Sequence, residues 1–180
     1  MKKLMTAIAV AFAAAVVNAA AVSWSAGGIV DPWATQAAGK NTPASGWVGY
    51  LVLASDLDTI SSGLTSGDTS VLAAAVDHNT TTAKGQFAAG AATGNVAAGS
   101  QDFYVIVFNA ANVDDATSFY VSTKASAVVD ASLDTPITFS SQATNSKNVA
   151  NWTAMSVPEP TSGLLLLLGM AGLALKRKRA

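Results

Sequence analysis

The sequence predicts a mainly β domain, an antiparallel β-sandwich or roll carrying one or two short helices, with a small α+β domain as the alternative. Three features carry that expectation. Phe103-Tyr104-Val105-Ile106-Val107-Phe108 is a run of strong β-formers, apolar toward both faces as the centre of a sheet requires. Trp47 to Leu53 has the same two-faced character. Short apolar runs then recur along the chain between stretches of Gly, Pro, Asn, Asp and Ser that punctuate strands.

Residues 21–25, Ala-Val-Ser-Trp-Ser, alternate apolar and polar and read as a first strand with Val22 and Trp24 facing inward. Residues 27–46 hold Pro32 and Pro43 among several glycines and read as a loop. Trp47 to Leu53 is the next strand, central in its sheet. A helix follows, with Ser55 as its expected cap and Asp56 and Asp58 in the first turn, where the helix dipole favours anions. Leu57, Ile60 and Leu64 share one face of it. A second short helix is expected from Thr69 to Val76, capped by Asp68. His78 then closes that helix in a polar turn.

Thr80 to Phe87 is expected as a strand, and the Ala- and Gly-rich residues 88–100 as a flexible hairpin tip. Asp102 to Asn109 is the strongest strand. Asn112-Val113-Asp114-Asp115 reads as a turn, so Ser118 to Lys124 should return antiparallel, with Phe119 and Val121 on one side and Tyr120 on the other. Ser126 to Val129 reads as a short edge strand. Residues 136–140 and 151–155 read as the last strands.

Charge is unevenly placed. Residues 22–157 hold Lys40, Lys84, Lys124 and Lys147, no Arg, and ten Asp, which leaves that stretch at −6. An acidic domain without Arg does not suit nucleic acid, whose affinity comes from phosphate contacts. The same charge keeps a protein soluble by repulsion. The chain has no Cys, which removes disulfides, thiol nucleophiles and thiolate metal sites.

Candidates for chemistry are few. His78 is the only histidine, so a transition-metal site of His and Cys has too few ligands. Glycoside hydrolysis needs two carboxylates about 5–10 Å apart. Asp114-Asp115 and Asp56/Asp58 are better explained by a turn and a helix start. No catalytic residue and no cofactor is assigned. Calcium is the ion that loop residues Asp31, Asp130 and Asp134 would suit, if folding joined them. Trp24, Trp47 and Trp152 fall in strands and read as core. Trp33, after Pro32, reads as exposed and offers a sugar a stacking face. Asn79-Thr80-Thr81 and Asn151-Trp152-Thr153 match a glycosylation triplet that a Thr-rich chain produces by chance.

The two ends carry address signals. Lys2-Lys3, the apolar Leu4 to Val17 and small residues after it form a signal peptide over 1–21. Val17-Asn18-Ala19 and Ala19-Ala20-Ala21 both fit the cleavage rule, so the cut falls among Ala19, Ala20 and Ala21. At the other end, Pro158-Glu159-Pro160 precedes an apolar run of Leu164, Leu165, Leu166, Leu167, Leu168, Gly169, Met170, Ala171, Gly172, Leu173, Ala174 and Leu175. As a helix the run is roughly 18 Å long, against a bilayer core of about 30 Å, which is short for a permanent anchor. Lys176, Arg177, Lys178 and Arg179 follow and should stay on the cytoplasmic side.

These three zones, over residues 157–180, resemble the PEP-CTERM sorting signal. A eukaryotic lipid-anchor signal lacks the trailing cations, and the Leu-Pro-x-Thr-Gly motif of sortase substrates is absent. The resemblance implies recognition, and cutting near Pro-Glu-Pro, by an exosortase-type membrane protease-transpeptidase. It implies transient anchoring in the inner membrane and then the cell surface or extracellular polysaccharide matrix. Glu159 is the chain's single Glu, which fits a residue kept for recognition. The expected plan is a signal peptide over 1–21, a secreted β-rich domain over 22–156 and a sorting signal over 157–180. Its partners are signal peptidase and the general secretion machinery, the exosortase, and extracellular polysaccharide. The expected role is structural or adhesive and not enzymatic, with a surface carbohydrate-binding module as the alternative.

Overall fold

The computed structural model describes residues 20–34, 42–88 and 96–156. Both expected terminal helices lie outside the described residues. The fold is mainly β, as the sequence predicts. β4 (Gly99–Phe108) is its spine. Along one edge β4 pairs antiparallel with β2 (Val48–Leu53), which in turn pairs antiparallel with β3 (Asp77–Thr80). Along the other edge it pairs with two strands in succession. β5 (Ser118–Val121) lies beside Ile106 to Phe108, and β6 (Ala125–Val129) lies beside Gly99 to Phe103. β8 (Trp152–Ala154) adds to β5 antiparallel.

Between β5 and β6 the ladder is carried by a side chain. Ser122 donates its N–H to the Val105 carbonyl, and its Oγ accepts the Val105 N–H, both at 2.9 Å. That local break turns one long strand into two.

Period-two alternation sends the central strands' side chains to two cores. Phe103, Val105, Val107, Leu51 and Tyr120 face a cluster with Trp24, Phe87, Ile137 and Phe139. Ile106, Phe108, Val48, Val52 and Phe119 face a second cluster with Ile60, Leu64 and Leu72. The first core is closed by a separate two-stranded sheet of β1 (Val22–Ala26) and β7 (Thr135–Phe139). The second is closed by α1 (Ala54–Thr65) and the 3-10 helix Thr69–Ala74. The molecule is a sandwich whose second sheet is small and whose other face is covered by helix.

The β1–β7 pair is parallel, running from Val22 opposite Thr135 to Ala26 opposite Phe139. Each strand was expected, but their parallel pairing adds a direction the antiparallel reading did not include. Ala20 continues the layer through an N–H bond of 3.2 Å to the Val96 carbonyl.

The first helix expectation holds with one correction; the second is a 3-10 helix that stops at Ala74, short of the expected Val76. Ile60 and Leu64 are buried and Leu57 packs behind them. Ser55 is not the cap. β2 runs directly into α1, so Leu53 occupies the cap position and no side chain bonds the first turn. The helix ends in a Schellman arrangement, with Asp68 N–H on the Gly63 carbonyl at 2.9 Å and Gly67 N–H on Leu64 at 3.0 Å. Gly67, at φ +85°, supplies the left-handed residue that this ending needs. Asp68 caps the following 3-10 helix by accepting the Ser70 N–H at 3.0 Å.

A second correction concerns residues 77–87. The expected strand over 80–87 begins earlier and is shorter. Asp77 to Thr80 forms β3, and a turn over Thr82 to Gly85 brings Phe87 to a single bridge with Ala26. His78 therefore sits on an edge strand and does not end a helix. Near the end of the domain, α2 (Ala143–Ser146) and the 3-10 helix Val149–Asn151 were not expected.

Candidate functional site

Three places on the domain have features beyond packing. The first is the chain's exit. After β8, Met155 donates its N–H to the Thr117 carbonyl at 2.9 Å and Ser156 to the Thr65 carbonyl at 3.1 Å. The described chain therefore stays tied to the fold through Ser156. Pro158, Glu159 and Pro160, Leu164 to Leu168, Leu173, Leu175 and the cations Lys176 to Arg179 lie outside the described residues. Among the described residues no helix is long and apolar enough to cross a membrane.

The second is a groove of about 480 Å³ between β2, β3 and the Thr69–Ala74 segment, with Tyr50, His78, Thr69, Thr80, Asn112 and Asp114 on its walls. Register places His78 directly opposite Tyr50, and their rings stack at 5.4 Å between centroids and 23° between planes. Burial pushes the Tyr50 phenol up from its ordinary value, and the negative charge of Asp114 adds to the effect. The phenol is thus held protonated and can donate a hydrogen bond. Among the described residues Asp114 is the one carboxylate lining this groove, so they do not form the two-carboxylate arrangement of glycoside hydrolysis there.

The third is an aromatic row. Trp33, Trp47 and Trp152 meet pairwise at 6.4, 5.0 and 5.6 Å between centroids, and Tyr120 joins Trp152 at 5.5 Å. Trp152 is in the core and donates its indole N–H to the Ser146 carbonyl at 2.7 Å. Trp24 is core as expected, Trp47 is half-buried, and Trp33 is 45% exposed. Beside the row lies a shallow pocket of about 400 Å³ lined by Tyr120, Val121, Ser122, Thr123, Asn145 and Asn151. Among the described residues its polar groups are hydroxyls and carboxamides, without a charged side chain.

The loop aspartates have local duties. Asp31 Oδ1 accepts the N–H groups of Trp33 and Ala34 at 2.9 and 3.1 Å and so sets the turn that presents Trp33. Asp130 Oδ1 does the same for Ser132 and Leu133 at 2.7 and 3.0 Å. Among the described residues no three of His, Cys, Asp and Glu come together, so folding does not join Asp31, Asp130 and Asp134 with one another.

Sequence reasoning missed the Tyr50–His78 pair because His78 was assigned to a helix end. It also missed Gln142, which is wholly buried and bonds Tyr120, Thr123 and Ser140. A lone Gln in a polar stretch gives no signal of such a role. Of the signal-cleavage residues, Ala20 and Ala21 belong to the folded layer, and Ala19 lies outside the described residues.

Comparison with known proteins adds one match. The family model of the PEP-CTERM protein-sorting motif matches residues 156–179. The match begins at Ser156, the last of the described residues. No curated protein and no solved structure matches the chain.

Proposed function

We propose that this chain is exported by the general secretion machinery and sorted by an exosortase-type membrane protease. The enzyme cuts near Pro158-Glu159-Pro160 and passes the domain to the cell surface or extracellular matrix, where it serves a structural or adhesive role. The observation that carries this reading is the sorting-motif match over residues 156–179. Two properties of the domain agree with it. It carries −6 over residues 22–157, which favours solubility outside the cell. Every described strand lies before Ser156, so a cut at the motif leaves each of them in place.

The test is fractionation of cells expressing the full chain and its Glu159→Ala variant. The wild type should appear at the surface and the variant should accumulate in the inner membrane. Equal surface delivery of both would overturn the reading.

A surface carbohydrate-binding module is the second reading. The exposed Trp33, backed by Trp47 and Trp152, favours it. Aromatic faces present apolar area at low conformational cost, and the neutral pocket beside them offers partners for sugar hydroxyls. Calorimetric titration with soluble glycans separates this reading from a purely structural role.

A further inference from the structure

The two small-x-small sites at the N-terminus give different mature proteins, and the fold is complete in only one. Ala20 is 1% exposed, lies in the same core cluster as Val22, Trp24 and Val96, and donates its N–H to the Val96 carbonyl at 3.2 Å. The Ala21 carbonyl accepts the Thr135 N–H at 3.0 Å, the hydrogen bond that opens the β1–β7 pair. Val22 is fully buried.

A cut after Ala21 would empty the Ala20 position in the core and strip the Thr135 N–H of its acceptor. A cut after Ala19 keeps both hydrogen bonds. The new α-amine takes the place of the Ala20 amide and can still donate to the Val96 carbonyl. Signal peptidase acts before folding, so the fold does not direct the enzyme. It records which product the exported domain requires.

We propose that signal peptidase hydrolyses the Ala19–Ala20 bond and that the mature chain begins Ala20-Ala21-Val22-Ser23-Trp24. Water adds across the peptide bond, leaving a carboxylate on Ala19 and an amine on Ala20. This assignment rests on the export reading above and sharpens it to one bond.

The test is export of the full chain from a Gram-negative host under its own leader, with N-terminal sequencing of the product. Ala21→Leu is run beside it, because Leu at that position spoils the site after Ala21 and leaves the site after Ala19 intact. Both proteins should read from Ala20. A wild-type product that starts at Val22, or loss of processing in Ala21→Leu, overturns the assignment and leaves export standing. A product that retains Met1 overturns the assignment and the signal-peptide reading together.

Discussion

Trp24 donates its indole N–H to Asp77 Oδ2 at 2.8 Å, across 53 residues of sequence. Trp24 belongs to the small parallel sheet and Asp77 opens an edge strand of the large one. The bond therefore fastens one layer of the sandwich to the other at a point where the Trp24 ring is buried. A buried indole N–H without an acceptor bears its full desolvation penalty.

Asp77→Ala should destabilise the exported domain by about 1–3 kcal/mol. Asp77→Asn keeps an acceptor oxygen and should cost clearly less. Urea unfolding followed by Trp fluorescence gives both numbers. Equal costs would mean that packing around Asp77, and not this hydrogen bond, joins the layers.

Gln142 organises the end of the first core. Its Oε1 accepts the Tyr120 hydroxyl at 2.8 Å and the Thr123 N–H at 3.1 Å, and its Nε2 donates to Thr123 Oγ1 at 3.0 Å and to the Ser140 carbonyl. Burial raises the Tyr120 phenol, with the nearby Asn145 side chain opposing, so the hydroxyl remains a donor. Gln142→Leu leaves that hydroxyl and the Thr123 N–H unpaired and should cost about 3 kcal/mol. Gln142→Glu turns an oxygen toward the Ser140 carbonyl, which only accepts. The variant should be near wild type in acid, where the carboxyl is protonated, and lose stability as pH rises past about 4.3. A pH-independent Gln142→Glu would contradict the assigned donor geometry.

The sheet centre and the helix were legible because burial writes itself into sequence. β4 and β2 are apolar on both faces since a core lies on each side. Ile60 and Leu64 recur at helical spacing since one face of α1 is covered. The β1–β7 pairing was not legible. Its partners lie far apart in the chain, and alternation reveals a strand's buried face without naming its neighbour. β3 reads Asp-His-Asn-Thr and carries no apolar pattern, because an edge strand needs only a partner's backbone. Sequence alone could offer Asp31 and Asp130 to calcium but could not show that each closes an Asx turn with its own loop. The exposed Trp33 was anticipated from Pro32, but its contacts with Trp47 and Trp152 depend on strands brought together by the fold.

The domain's salt bridge gives a pH prediction on both limbs. Lys124 Nζ lies 2.9 Å from Asp102 Oδ2, and Ser126 donates to the other carboxylate oxygen. The Ser126 hydrogen bond first, and then the Lys124 hydrogen bond, hold Asp102 below its ordinary value. Lys124 is raised, chiefly by its hydrogen bond to Asp102. Asp102 therefore contributes stability above its unfolded value of about 3.9 and loses it as pH falls through the lowered folded value. Lys124 contributes fully below about 10.4 and loses its share as pH rises through its raised value. Both groups are solvent-exposed, so the effect is small and weakens with salt. Thermal midpoints of wild type and Asp102→Asn across pH should show the variant with flatter acid and alkaline limbs. Identical profiles would mean that the pair contributes nothing.

Trp33 and Trp152 touch each other yet should behave differently. Trp152→Ala removes a buried ring and its bond to Ser146 and should cost about 3–5 kcal/mol. Trp33→Ala, at an exposed position, should cost under about 1 kcal/mol. If the aromatic row takes sugar, Trp33→Ala should abolish glycan binding at nearly unchanged stability. Full binding by that variant would remove this row from the carbohydrate reading.

The central claim is that the tail after Ser156 is a handle for sorting, and intact mass tests it most directly. The protein would be recovered from its native cell surface in strains with and without the exosortase. With the enzyme, the mass should lack the leader and everything beyond the Pro-Glu-Pro element. Without it, the tail should remain and the protein should stay with the inner membrane. A surface protein that keeps Lys176 to Ala180 in both strains would contradict the account and leave the segment as an ordinary membrane tail.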